Sequence, residues 1–125
     1  MNLQFTGKEL AAIIYLAMNM IMADGRVDEK EKKALALEMV RFGVQGDQLA
    51  KLTAMGQAMD TVEIVSIISN LKSDEKKYVA ALLGTLMAID GDIDDTEMKL
   101  WQLTSTLCNL PTMNIKQALE TIRDL

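Results

Sequence analysis

Apolar residues recur along this chain with helical spacing, and nowhere does a Val/Ile/Thr-rich run alternate apolar and polar positions as a half-buried strand would. Two stretches are apolar nearly all round. From Leu10 to Met22 the sequence is almost wholly apolar, with Asn19 inside it, and from Val79 to Ile89 only Gly84 and Thr85 interrupt. A helix that is hydrophobic on every side belongs in the interior, so these two are expected at the centre. The remaining segments carry one apolar stripe each. Leu35-Met39-Phe42 is one, and Leu100-Leu103-Leu107, with Met98 and Trp101 beside it, is another. The Leu10–Ala23 run spans fourteen residues, short of the roughly 20 needed to cross a bilayer, and reads as a core helix.

Helix starts are marked by capping residues. Thr6/Glu9, Asp28/Glu31, Asp60/Glu63 and Asp94/Glu97 each place a capping oxygen three residues before a Glu, the spacing of a reciprocal capping box. Asp47 and Ser73 are simpler N-cap candidates, and Thr112 or Asn114 could open a last helix after Pro111. Breaks fall at Gly25, Gly43–Gly46, Gly56, Asn70–Ser73, Gly91 and Pro111. These signals predict seven helices, over 7–23, 28–43, 47–56, 60–71, 74–89, 94–109 and 112–123. The expected fold is all-α: one domain, residues 1–125, with segments one and five as a central pair wrapped by amphipathic helices.

The chain also repeats itself at an offset of 66 residues. Asp24-Gly25-Arg26-Val27-Asp28-Glu29-Lys30-Glu31 aligns with Asp90-Gly91-Asp92-Ile93-Asp94-Asp95-Thr96-Glu97, and Lys33/Lys99 and Leu37/Leu103 extend the match. In both copies a buried helix precedes the motif and a helix with a charged first turn follows. A pseudo-twofold bundle of two helix–turn–helix units is expected. The two motifs, each taken with its preceding Met22-Ala23 or Ala88-Ile89, resemble the paired acidic motifs of TerB-like domains, found in tellurite-resistance TerB proteins and in the N-terminal domain of a membrane-anchored DnaJ-like co-chaperone. The resemblance covers nearly the whole chain. It implies an all-α bundle with internal duplication, a cation-binding acidic face, and a role in stress response or envelope-associated complexes. Arg26 and Lys30 make the first motif less acidic than the second.

Composition removes several classes of chemistry. The 125 residues include no histidine and one cysteine, which excludes His-ligated metals, Ser-His and Cys-His nucleophile systems and a disulfide framework within the chain. A net charge of −5 argues against nucleic acid as partner, because phosphate binding needs clustered Lys and Arg. No phosphate loop or nucleophile–base pair accompanies the carboxylates, so a non-enzymatic protein is expected. The start Met1-Asn2-Leu3-Gln4-Phe5-Thr6 lacks a basic stretch and a small-residue cleavage site, so a cytoplasmic location without membrane insertion is expected. The ten methionines read as core filler, and Cys108 as an inert apolar-position thiol.

The acids admit two interpretations. An EF-hand is disfavoured: its first and third ligand positions would fall on Met20 and Met22, or on Leu86 and Ala88, which offer no side-chain oxygen. Asp28 and Asp94 fit as N-caps, with Glu31 and Glu97 closing their capping boxes and Gly25 and Gly91 supplying left-handed helix ends. Asp24 and Asp90 sit at helix carboxyl ends, where the helix dipole disfavours an anion by about 0.3–1 kcal/mol. They either satisfy turn amides as Asx-turns or join Asp28, Glu31, Asp94 and Glu97 around a hard divalent cation. Oxygen-only ligands would select calcium or magnesium. The TerB-like resemblance implies a regulatory or scaffold module with an acidic, cation-binding face and a protein partner. The alternative is an interaction domain without metal. The oligomeric state is left open by the sequence.

Overall fold

A computed structural model of the chain describes residues 3–23, 25–89, 91 and 93–125, and every element among them is helical. In chain order they are α1 (Gly7–Ile21), α2 (Glu29–Val40), α3 (Asp47–Ala58), α4 (Thr61–Ser69), α5 (Ser73–Ala88), α6 (Asp95–Leu107) and α7 (Ile115–Arg123). The seven expected segments are all present, with ends displaced by no more than three residues. Asp47 and Ser73 turn out to be the first residues of their helices, with Gly46 and Lys72 at the N-cap positions.

α1 and α5 pack against each other at the centre, and both expected helices are indeed core helices. Leu16 and Leu82, related by the 66-residue offset, are both buried. Burial stops at the carboxyl ends, because the chain there leaves the bundle. Met22 and Ile89 are exposed.

The packing follows the duplication. α1 packs on α2 and α3, as α5 packs on α6 and α7; α2 reaches across to α5, as α6 does to α1. That exchange is what a twofold relation requires. α4 has no counterpart and lies against α1, linking the two units. The symmetry extends to single hydrogen bonds. After α2, Gly43 takes φ +79° and Val44 N–H donates to Met39 O at 3.1 Å. After α6, Asn109 takes φ +55° and Leu110 N–H donates to Ser105 O at 2.8 Å. Both are Schellman closures in which a left-handed residue turns the last carbonyls inward.

Elsewhere the halves have diverged. Trp101 of α6 is buried, and its Nε1 donates to Ala80 O of α5 at 3.1 Å. The ring needs Gly84: a Cβ there would stand 2.6 Å from the indole and 2.9 Å from Ala118 Cβ of α7. Across the two halves, Phe5, Phe42 and Tyr78 form an aromatic cluster with centroids 5.1–5.9 Å apart, Phe42 standing edge-on to the other two rings. The Tyr78 hydroxyl donates to Glu38 Oε1 at 2.9 Å, and Arg41 Nε donates to the same oxygen at 2.8 Å. That network ties α2 to α5.

The α6 stripe is a correction. Leu103 and Leu107, expected in the core, are 57% and 55% exposed, while Glu97, Trp101, Thr104 and Cys108 are buried. Seating the indole between α5 and α7 rotates the leucines outward. Cys108 is buried among apolar groups, and burial pushes its thiol pKa up, as expected for an inert cysteine.

Candidate functional site

The two Asp-Gly turns begin where the central helices run out of core. At the end of α1, Met22 N–H donates to Met18 O and Gly25 N–H to Met22 O, both at 3.0 Å. Gly25 then takes φ +82°, a conformation that L side chains rarely adopt. At the end of α5, Gly91 N–H donates to Ala88 O at 3.1 Å and Gly91 takes φ +76°. The duplicated glycine thus performs the same backbone task twice.

The next helix starts a few residues later on an aspartate. Asp28 Oδ1 accepts from Lys30 N–H at 2.8 Å and from Glu31 N–H at 3.2 Å. Asp94 Oδ1 accepts from Glu97 N–H at 2.8 Å. Both are N-caps, as their spacing predicts, and each satisfies amides that the first helical turn leaves without an intrahelical acceptor. Glu29, Glu31, Asp95 and Glu97 fill the first turns of α2 and α6, where the helix dipole favours negative charge.

The second half of those expected capping boxes is absent. Thr6 and Glu9 bond reciprocally at α1, and Asn114 and Gln117 at α7. At α2, α4 and α6 only the aspartate bond forms among the described residues. Glu31 and Glu97 do not turn back to the cap but are folded into the protein, at 3% and 4% exposure. Each of them, like Arg26, engages a partner. Two acids at equivalent positions, both removed from water, are costly unless their charge is compensated, since a buried ionised carboxylate must be paired or hydrogen-bonded.

Their burial has a signal in the sequence that capping logic obscured. Glu31 is one and two four-residue steps ahead of Leu35 and Met39, and Glu97 stands likewise ahead of Trp101. Both acids therefore lie at the start of the buried stripe of their helix.

Of the six candidate ligands, Asp28 and Asp94 hold the caps and Glu31 and Glu97 lie buried beneath them. Asp24 and Asp90 fall outside the described residues, as does Asp92. Among the described residues, no three acidic or thiol side chains gather in a metal-holding group. Around the turns the surface is apolar as well as acidic. Met22, Val27, Ile89 and Ile93 are exposed, Val27 and Ile93 at equivalent positions. Among the described residues no helix is long and apolar enough to cross a membrane.

Comparison with known proteins locates this arrangement. Residues 10–120 match the family described as tellurite resistance protein TerB. A crystal structure of a protein of unknown function from Porphyromonas gingivalis W83 is similar, with 42% sequence identity and a TM-score of 0.87. That similarity covers 99% of this chain and 100% of the other. No curated protein matches the chain.

Proposed function

The chain belongs to the TerB family, and from that premise we propose that it is a non-enzymatic module whose two Asp-Gly turns form an acidic face for a divalent cation. Calcium or magnesium suits the all-oxygen ligand set of Asp24, Asp28, Glu31, Asp90, Asp94 and Glu97. The observation that carries this proposal is the burial of Glu31 and Glu97 at twofold-equivalent positions directly behind the two capped turns. A carboxylate serving as the return half of a capping box turns back to the cap amide, as Glu75 does at α5 while itself buried. Glu31 and Glu97 are buried without doing so, and the same departure occurs in both halves. The cation-loaded face would serve a protein partner in a cytoplasmic stress-response or envelope-associated complex; of this, the family's name supports the link to tellurite resistance.

Thermal melting tests the cation directly. A ligand that binds only the folded chain adds RT ln(1 + [L]/Kd), about 2.7 kcal/mol at a hundredfold excess over Kd. Millimolar calcium or magnesium should raise the melting midpoint and a chelator should reverse the gain. The double change Asp24→Asn and Asp90→Asn should abolish the ion response while the fold persists, because Asn still makes turn hydrogen bonds. A midpoint indifferent to calcium, magnesium and manganese, with no heat on titration, would retire the cation site. The second reading, an interaction domain without metal, would then stand. It is favoured by Leu37 and Leu103, identical residues at equivalent positions that are 74% and 57% exposed.

A further inference from the structure

Away from the acidic turns, a half-open cleft of about 940 Å³ lies between α6 and the start of α7. Its volume falls within the roughly 300–1,000 Å³ of small-molecule sites. Met98, Trp101, Leu110, Met113 and Ile115 supply apolar lining. The other lining side chains are uncharged hydroxyls and amides, with one exception, Lys116. In a chain of net charge −5, no carboxylate among the described residues lines this cleft.

Three features give the α7 end a positive character. Lys116 carries a full charge. Asn114 and Gln117 bond reciprocally and thereby satisfy the N-cap and third-residue amides of α7, leaving the Ile115 and Lys116 N–H groups without an intrahelical acceptor. The α7 dipole adds positive potential at the same end. At the opposing carboxyl end of α6, the Thr104, Ser105 and Thr106 carbonyls are turned into the closing turn, where they accept from Cys108, Leu110 and Asn109 N–H. The first half of the chain has no such arrangement: Ala50 and Leu35 stand where the second half has Lys116 and Trp101. The polar end is particular to the second unit.

We propose that this cleft binds a small amphipathic monocarboxylate, its apolar body against Trp101 and Leu110 and its carboxylate toward Lys116 and the first amides of α7. The site is distinct from the proposed cation face, and its test runs in chelator so that the two stand or fall separately.

Trp101 is the one tryptophan of the chain and lines the cleft, so its emission reports occupancy. Decanoate should change that emission saturably at submillimolar concentration. Decanol, with the same tail and no charge, should bind about tenfold more weakly, as should decanoate to the Lys116→Gln protein. Lys116 is exposed, so this variant should keep the parent melting midpoint. An unsaturable or absent emission change would overturn the proposal. So would equal binding of decanol and decanoate, or decanoate binding unaffected by Lys116→Gln. Binding of an acetylated Leu-Leu-Leu peptide with a free C-terminus, where decanoate does not bind, would replace the small ligand with a protein terminus and overturn it too.

Discussion

Leu82 and Leu103 show how the same residue type acquires opposite weight in the two kinds of helix. Leu82 is buried between the central helices, and its truncation to Ala removes contacts that neighbours cannot replace, at a cost of about 2–5 kcal/mol. Leu103 faces water, and Leu103→Ala should stay within about 0.5 kcal/mol. Chemical denaturation of the two variants checks the contrast; equal losses would place Leu103 in the core. Tyr78 is the titratable counterpart. Its phenol is fully buried and donates to Glu38, and desolvation, aided by the Glu38 charge, raises its pKa well above the ordinary 10.0. The native state therefore holds the proton over a range in which the unfolded chain has released it. The resulting stability is present in full below about pH 10 and is lost as pH rises beyond it. The Cys108 thiol, also raised by burial, acts in the same direction from its own ordinary value of 9.0. Stability should fall between pH 9 and 11, and Tyr78→Phe should shallow that fall while costing some stability at neutral pH through the lost Glu38 bond. An unchanged alkaline slope in the variant would show that Tyr78 ionises freely in the folded protein.

At the scale of elements, the seven helices are legible because caps and breakers agree with apolar periodicity. Asp28, Asp60 and Asp94 all cap where their spacing places them, and Gly25 and Gly91 end the preceding turns. The faces of the peripheral helices are less legible. α6 offers two stripes of helical period, Leu100-Leu103-Leu107 and Glu97-Trp101-Thr104-Cys108, and hydropathy alone favours the first. The second wins because the large indole fits only where Gly84 leaves space on α5 and where Ala80 O can take its N–H. Such a preference depends on a partner helix roughly twenty residues away in sequence, which local pattern cannot register. Helix ends are again local. Gly43 and Asn109 occupy equivalent left-handed positions, and an alanine there pays the cost of its Cβ, roughly 1–2 kcal/mol. Gly43→Ala should lower stability by that amount, and Asn109→Ala by less, because Asn109 already carries a Cβ and loses only the polar side chain that eases the left-handed conformation. Alanine at an exposed right-handed position such as Gln102 should cost neither. A loss at Asn109→Ala as large as that at Gly43→Ala would show that the Asn side chain, not the absence of a Cβ, sustains the second closure.

At the scale of the whole molecule, the duplication was readable from an eight-residue motif, but the exchange of contacts between units was not. α2 touching α5 and α6 touching α1 follow from the way two central helices pack, not from either half alone. That exchange bears on how many cations the proposed face would take. If each helix–turn–helix unit were self-sufficient, as in a pair of independent loops, two ions would bind and single substitutions would each remove half the response. The arrangement favours a shared site, because each turn leads into a helix that packs on the other unit's central helix, and because the first motif, with Arg26 and Lys30, supplies fewer net negative charges than the second. Titration calorimetry should therefore give one calcium or magnesium per chain. Asp24→Asn alone and Asp90→Asn alone should each abolish most of the ion-dependent rise in melting midpoint, and the double change should add little. Such non-additivity is expected of residues that act on one bound partner. Two ions per chain, or single effects that sum to the double, would assign a separate site to each turn and overturn the shared one.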